Sequence, residues 1–581
     1  MRRAVAGWGG ALLAAALSCG GNEAPGEREL ASGGSSAEGG RADGGTAGRG
    51  SAGLAAGLGG SAAGSSGAAP AGAAGVAGGS AGSAAGSGAG SAGAAGRASG
   101  MGGVAGSGKG DAGAGAGGRA DAGTAGTGGA RPAVTAAPGT TLVKIDANVR
   151  YQTFEGWGTS LCWWAHHVGG WDEGARNAVV DAVVNPATGL GYNVFRYNIG
   201  GGENPSHEHM DEHREMPGFS PSAGTWTWDA DENQRAVLQQ IVATGSDVIL
   251  EAFSNSPPHW MTKSGCASGS SDGSNNLKDD SYEAFADYLT EVVKHYRDTH
   301  GIAFRTLEPL NEPNANWWKS NGSQEGCHFS PSNQQTLINA VRASLTEKGL
   351  TDTVVSASDE NSMDEANTNL RAFSATTLDN VGQLNVHSYA GSRRTELRQF
   401  ATSKSKRLWQ SESGPLGEDL AGDAEAALFM AGRIITDLRG LQPEAWLDWQ
   451  VGDPSRNWAS LWLNDAQQSF MPLKRFYMHA GFSRYIRPGA VFVDVDDPDM
   501  VAALSADGRT LALVVRNGAT SGEERFTFDL TTLPSVGATA EVVRTSRTED
   551  LEALPAVAIE GYSFVATIPA FSVTTFVIPM P

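Results

Sequence analysis

The sequence predicts an α/β chain: a (β/α)8 TIM barrel with a C-terminal antiparallel β-sandwich domain, preceded by a disordered Gly/Ala/Ser tether. Three observations predict it. Strand-like apolar runs alternate with helical periodicity eight times from Thr140 onward, helical spacing stops after Tyr485, and 42 of the 80 glycines crowd into residues 20–139. Strands alternating with helices signal parallel βαβ units, whereas short Val/Thr/Phe runs between turns mark an antiparallel sandwich.

In chain order, Met1-Arg2-Arg3 is a short basic region and Ala4 to Leu17 an apolar run of about fourteen residues. Crossing a bilayer of about 30 Å takes about 20 apolar residues, so residues 1–19 are expected to be an export signal rather than a span. Cys19 closes the string Ala16-Leu17-Ser18-Cys19, which resembles the lipobox of bacterial lipoproteins, with Leu17 one place nearer the cysteine than usual. Two outcomes are open, lipidation of Cys19 or ordinary cleavage nearby. Either takes the chain out of the cytoplasm, to secretion or to an outer-membrane or cell-surface position, and a lipid on Cys19 is the one membrane contact expected. Residues 20–139 are the tether. Up to Gly139 the only aromatic residue is Trp8, too little apolar surface to offset the entropy of ordering. A flexible chain of this length reaches roughly 60 Å, which suits a spacer; a low-complexity expansion without a role has the same composition.

Residues 140–485 supply the barrel. Strands are expected at Phe154 to Trp163, Asn193 to Ile199, Asp247 to Ser254, Thr306 to Leu310, Thr353 to Ser358, Leu384 to Tyr389, Arg407 to Ser411 and Ala445 to Gln450. Helical periodicity is clearest at Tyr282 to Tyr296, Asn333 to Lys348 and Asp423 to Arg439. Eight units over about 340 residues fit a barrel with long loops. An open doubly wound sheet would show a glycine-rich phosphate loop after its first strand, and the sequence has none. Residues 486–581 read as the sandwich, through runs such as Ala490-Val491-Phe492-Val493 and Leu511-Ala512-Leu513-Val514-Val515.

Charge divides in the same way. The formal −21 leaves −23 beyond Gly139, because residues 1–139 carry nine basic and seven acidic side chains. Phosphate binding needs a basic face, so a nucleic-acid partner is excluded, and a monomer acting on a neutral ligand is expected.

In such barrels catalytic groups stand at the C-terminal ends of the strands. The fourth strand ends Glu308-Pro309-Leu310-Asn311-Glu312-Pro313-Asn314 and the seventh Trp409-Gln410-Ser411-Glu412-Ser413-Gly414. Glu312 and Glu412 therefore face each other across the mouth. A carboxyl pair about 5–5.5 Å apart suits double-displacement glycoside hydrolysis. One glutamate after a strand is usually a solvated loop residue or a helix cap; two at these ends, one beside Asn311, argue for chemistry. Sugars offer apolar C–H faces, so aromatic platforms are expected, with Trp449 the first choice. Trp164 and Trp317, with Trp163, Trp260 and Trp318, are candidates that core packing claims as readily. His387 and Tyr389 lie two apart on the sixth strand and point the same way, and for His387 a structural role remains open.

The strings FEGWG (Phe154 to Gly158), FRYNIGGG (Phe195 to Gly202), SNSPPHWM (Ser254 to Met261), LNEPN (Leu310 to Asn314) and KRFYMHAGFSRYIRPGA (Lys474 to Ala490) resemble glycoside hydrolase family 30. That family lies in the clan of (β/α)8 retaining glycosidases, and the similarity runs from Thr140 to Pro581. It implies that Glu312 is the general acid/base, its proton favoured by the nearby charge of Glu412, and that Glu412 is the nucleophile. It implies that Arg196 hydrogen-bonds that nucleophile, that Asn311 binds the 2-hydroxyl of the attacked sugar, and that a strand at about 141–147 crosses over to the sandwich. GWGTSLCWWA (Gly156 to Ala165) and GSQEGCHFSP (Gly322 to Pro331) look most like the endo-β-1,6-galactanase group. Asn255 stands where relatives acting on glucosylceramide, xylan or β-1,6-glucan commonly carry tryptophan. The resemblance thus implies a polysaccharide substrate, cleavage of β-1,6-galactosyl bonds in arabinogalactan-type chains, and no cofactor. Other family activities, among them β-1,6-glucanase, xylanase, glucosylceramidase and exo-acting β-1,6-galactobiohydrolase, are the alternatives. A non-catalytic carbohydrate-binding protein is the rival from another class.

Three further signals complete the reading. Beyond the leader there are three cysteines, and a Cys266–Cys327 disulfide is expected because both lie in polar loops after strands while Cys162 sits in an apolar strand pattern. Ser206-His207-Glu208-His209-Met210-Asp211-Glu212-His213 is rich in metal-ligating types, but its spacing matches no zinc pattern of defined geometry. No metal is expected, and the loop is read as solvated or substrate-facing. Asn321-Gly322-Ser323 is a sequon short enough to arise by chance.

Overall fold

The structure, a computed structural model, describes residues 131–245, 247–415 and 423–581. The expected export signal, Cys19 and all but the end of the expected tether lie outside the described residues.

Nine strands open the chain: β1 (Thr141–Thr153), β2 (Gly156–Ser160), β3 (Val194–Asn198), β4 (Ile249–Phe253), β5 (Thr306–Glu308), β6 (Val354–Ser362), β7 (Val381–Ala390), β8 (Arg407–Glu412) and β9 (Ala445–Gln450). Strands β2 to β9 are the expected eight, and they close a parallel barrel in chain order. Closure is made by β9 on β2, which sets Trp157 beside Trp446 and Gly158 beside Leu447. On its other side β2 pairs with β3, and Gly158 is needed there: a Cβ would lie 2.0 Å from the Val194 carbonyl on β3.

The first expected strand runs too far. After Ser160 the chain turns into helix Trp164–Gly169, and the apolar residues that extended the strand pattern pack as helix and loop. Local chemistry sets the other helix ends. Helix Tyr282–His300 stops at Gly301 with φ 66°, a left-handed cap that glycine adopts without strain. Helix Pro331–Glu347 starts behind Ser330, whose hydroxyl accepts from Asn333 N–H, with proline in the first turn. These helices lay apolar faces on the barrel, as Phe285, Leu289, Val292 and Tyr296 do.

The inside of the barrel is polar. Fully buried Glu251 on β4 accepts from Arg196 Nε (2.8 Å), Thr306 Oγ1 (2.7 Å), Ser356 Oγ (2.9 Å) and Asn385 Nδ2 (3.0 Å). This layer is a platform beneath the C-terminal mouth.

The crossing strand is present and longer than expected. β1 pairs antiparallel with Val491–Val495 and parallel with Glu523–Asp529, so it sits inside the C-terminal nine-stranded sheet. All other pairings in that sheet are antiparallel. Its own apolar core is centred on Phe528, Phe564 and Phe576, whose rings lie 4.7–5.7 Å apart. Trp157 at the barrel's start donates to the Ile486 carbonyl at 2.8 Å, tying the two parts together. Among the described residues no helix is long and apolar enough to cross a membrane.

Candidate active site

Glu312 and Glu412 meet at the mouth. A carboxylate oxygen of each and a nitrogen of His387 all lie within 4.8 Å of one another. Both glutamates are buried, at 3% and 4% exposure, so each charge is governed by protein partners rather than water.

Glu312 is held from β6. Its backbone N–H donates to the Asp359 carbonyl (2.9 Å), and its Oε1 accepts from Asn361 Nδ2 (2.6 Å). Its φ of 45° lies in the left-handed region, a local strain that such surroundings must over-determine. Glu412 ends β8, where Tyr389 OH donates to Oε1 at 2.9 Å. Its Oε2 lies 3.5 Å from Arg196 Nη1 and 3.4 Å from His387 Nε2. Burial pushes the Glu412 carboxyl up to about 7; His387 opposes this, Glu312 adds to it, and Arg196 opposes it in turn.

His387 is wedged between the two, with Nδ1 3.3 Å from Glu312 Oε1 and Nε2 3.2 Å from Asp359 Oδ2. Burial favours its neutral form, but Glu412 and Asp359 outweigh that and hold it well above the usual imidazole range. Arg196 is fully buried and ion-paired with Asp359, Glu251 and Glu412. Against its own burial, Arg196 and then His387 keep Asp359 below the usual carboxylate range. The mouth is thus an alternating array of two cations and several carboxyls, in which the cations favour an ionised Glu412.

Asn311 is 5% exposed, and its Oδ1 is buried without a hydrogen-bond partner, poised for a hydroxyl donor. Asn255 is buried, and its Nδ2 lies 3.8 Å from Cys162 Sγ. Trp449 stands edge-on to Trp163, ring centroids 5.3 Å apart, in a cavity also lined by Arg214, Gln324, Asp453 and Trp458. Trp317 is half-buried, its ring edge-on to Trp318 with centroids 6.1 Å apart.

Two expectations need correction. Trp164 is no platform: it is 1% exposed within the main core and its Nε1 donates to the Ser160 carbonyl at 2.7 Å. Its neighbour Trp163 faces the cavity instead. Cys266 and Cys327 form no disulfide; both are free thiols. Their loops do touch, Gly326 N–H donating to the Ala267 carbonyl (2.9 Å), but Cys327 packs into the main core while Cys266 turns toward His207 and His209.

Sequence reasoning missed Asp359, Asn361 and Glu251. The first two lie just past the point where the β6 apolar pattern stops, and the only available signal was the acidic pair Asp359-Glu360 directly after that apolar run.

Paired carboxyls at a barrel mouth, braced by an arginine and a tyrosine, define the class: a glycoside hydrolase. The family profile of O-glycosyl hydrolase family 30 matches residues 140–455, and the chain belongs to that family. The chain is 34% identical over 426 residues to an endo-β-1,6-galactanase of Hypocrea rufa, covering 69% of this chain and 86% of that one. It is 24% identical over 531 residues to an exo-β-1,6-galactobiohydrolase of Bifidobacterium longum subsp. longum, covering 65% of this chain and 34% of that much longer one. Among solved structures, the catalytic domain of a family 30 xylanase C from Talaromyces cellulolyticus matches with a TM-score of 0.60 at 19% identity, over 76% of this chain and 100% of that one, which speaks for the fold.

Proposed function

We propose that the protein is a retaining glycosidase that cuts internal β-1,6-galactosyl bonds in arabinogalactan-type polysaccharide, acting outside the cytoplasm behind its tether. The substrate is carried by one observation: the 34% identity to an endo-β-1,6-galactanase over 86% of that protein. The retaining course is supported by carboxylate oxygens within 4.8 Å of each other, a gap suited to direct attack. Inverting pairs stand about 6.5–9.5 Å apart to hold a water between them.

In this reading Glu412 attacks the anomeric carbon while Glu312 gives its proton to the departing glycosidic oxygen. Glu312, now a base, then takes a proton from the water that hydrolyses the glycosyl-enzyme. Arg196 opposes the burial that raises this carboxyl, and Tyr389 aims it. Asn311 Oδ1 takes the 2-hydroxyl, a bond that tightens as the ring flattens. Trp449 and Trp163 supply apolar surface for the sugar faces.

The test incubates the protein with de-arabinosylated arabinogalactan, β-1,6-glucan and xylan and identifies the products. Short β-1,6-galactan oligomers of mixed length, with the β-anomer formed first, are expected. Activity on xylan alone overturns the substrate, and uniform disaccharide release favours exo action, as in the Bifidobacterium relative.

A further inference from the structure

The glycosidase chemistry makes no use of the histidine-rich loop after β3. There, one imidazole nitrogen each of His207 and His209 and the Cys266 Sγ lie within 4.8 Å of one another. The two rings sit side by side with centroids 4.6 Å apart. Cys266 comes from the loop after β4, so the cluster joins two neighbouring loops on the C-terminal side of the barrel.

His209 is already oriented as a metal ligand would be. Its Nδ1 lies 3.0 Å from Glu203 Oε1 and 2.8 Å from the His207 carbonyl. Glu203 is itself fixed, because Oε1 also accepts the backbone N–H of His209 (2.6 Å) and of Met210 (2.8 Å). A proton on Nδ1 satisfies this carboxylate and leaves the lone pair on Nε2, which accepts from Ser268 Oγ in the Cys266 loop at 3.0 Å, a single hydroxyl bond that a metal would displace. A carboxylate behind an imidazole fixes its tautomer and strengthens it as a ligand. Cys266 is a buried free thiol and His207 is exposed, so the cluster has a fixed wall and an open side.

We propose that His207, His209 and Cys266 form a zinc site, completed by solvent, that ties the loop after β3 to the loop after β4. Two imidazoles and a thiolate select Zn2+ over hard cations such as Ca2+ and Mg2+. With Zn–S about 2.3 Å and Zn–N about 2.0–2.1 Å, tetrahedral ligand atoms stand about 3.4–3.6 Å apart. The ligand atoms therefore close by at most about 1.4 Å, a movement to which the exposed His207 side chain contributes. On binding, the Cys266 thiol gives its proton to solvent and the sulfur donates its electron pair to the metal, with no change of oxidation state. The site is structural and separate from Glu312 and Glu412. A site of this kind would not show in the local spacing of the histidine-rich loop, because its third ligand lies in another loop.

The full chain, stripped with a chelator and dialysed, is titrated with Zn2+ alone and, in parallel, with Co2+. One tightly held Zn2+ per chain is expected, along with a near-ultraviolet thiolate-to-Co2+ band that Cys266→Ser abolishes. His207→Ala, on an exposed side chain, weakens Zn2+ binding at least tenfold, and Glu203→Gln, which keeps the loop's acceptor, by about 10–100-fold. Zinc raises the Tm of the unaltered chain and not that of His207→Ala. A Co2+ complex without a thiolate band, or Zn2+ affinity unchanged in His207→Ala, overturns the proposal. All of these readouts are independent of glycosidase activity.

Discussion

The barrel mouth and the core of the C-terminal sheet are both sealed from water, yet they are made of opposite materials. In the mouth Arg196, Glu251, Glu308, Asp359, His387 and Glu412 are all 4% exposed or less. In the sheet Val143, Leu513, Phe528, Phe564 and Phe576 form a wholly apolar cluster. Apolar burial stabilises by roughly 25 cal/mol per Å2, whereas a buried ion pair about breaks even against a hydrophobic replacement. Glu308 sharpens the contrast, since both of its carboxyl oxygens are buried without a hydrogen-bond partner and burial pushes its carboxyl well above the usual range. Nothing in a stability argument calls for such a cluster. The sheet is built to hold the fold and the mouth to hold a charge pattern, so substitutions in one should cost stability and in the other turnover.

The largest effect is expected at Glu412. Glu412→Gln removes the attacking oxygen while keeping the volume, so turnover falls on the order of 10⁴-fold or more, with substrate binding retained. A charge that burial disfavours is lost as well, so the Tm holds or rises. Steady-state kinetics and calorimetry on one sample measure both; turnover within tenfold of the unaltered enzyme would remove Glu412 from the nucleophile's role. The mirror experiment is Phe528→Ala in the sheet. Truncating a fully buried phenylalanine costs about 3–5 kcal/mol, while kcat per folded molecule is unchanged. A drop in kcat at a temperature where the variant is fully folded breaks the division.

Legibility in the sequence follows the same line. Period-two and helical patterns come from apolar burial, so all eight barrel strands and the sheet region are readable, and β9 is found where it was expected, at Ala445–Gln450. Glu312 and Glu412 are readable because they stand at strand ends in recognisable strings. Their supports are not: Asp359 lies within β6 but past the end of its apolar pattern, and Glu251 lies within the Leu250 to Phe253 run, where a charge breaks the pattern without naming a partner. Trp163 and Trp164 show the limit at a single position. Adjacent and chemically identical, they differ only in direction, one toward the cavity and one into the core, which the turn after β2 decides.

A smaller effect is expected at Tyr389, whose hydroxyl donates to Glu412. A hydrogen bond to a charged group is worth about 1.5–3 kcal/mol, so Tyr389→Phe lowers kcat about 10–100-fold. The pH profile gives a readout that a packing role would not move. As the proposed nucleophile Glu412 has to be ionised, and its carboxyl is raised to about 7, so kcat/KM is expected to fall as pH drops below that value. Losing a donor to the charged form shifts this acidic limb upward. An unmoved limb with a lowered Tm would make Tyr389 a packing residue only.

The smallest effect tests whether the mouth's debt in stability can be read directly. Glu325 is fully buried next to the site, with its Oε1 accepting the N–H groups of Gly201 (2.6 Å) and Gly202 (3.2 Å). Burial pushes it up to about 8, against the backbone donors. Glu360 and Asp448 are pushed to about 7 in the same way. A carboxyl raised on folding contributes stability that is complete below its unfolded value, about 4.3 for glutamate, and is lost as pH rises through the folded one. The Tm should therefore fall between about pH 4 and pH 8 and level off above. The apolar core of the C-terminal sheet carries no such dependence. Glu325→Gln keeps an acceptor for Gly201 and cannot ionise, so it should recover part of the loss, on the order of 2 °C at pH 9, and change almost nothing at pH 4. An equal gain at both pH values would mean that packing, rather than a buried charge, sets the cost.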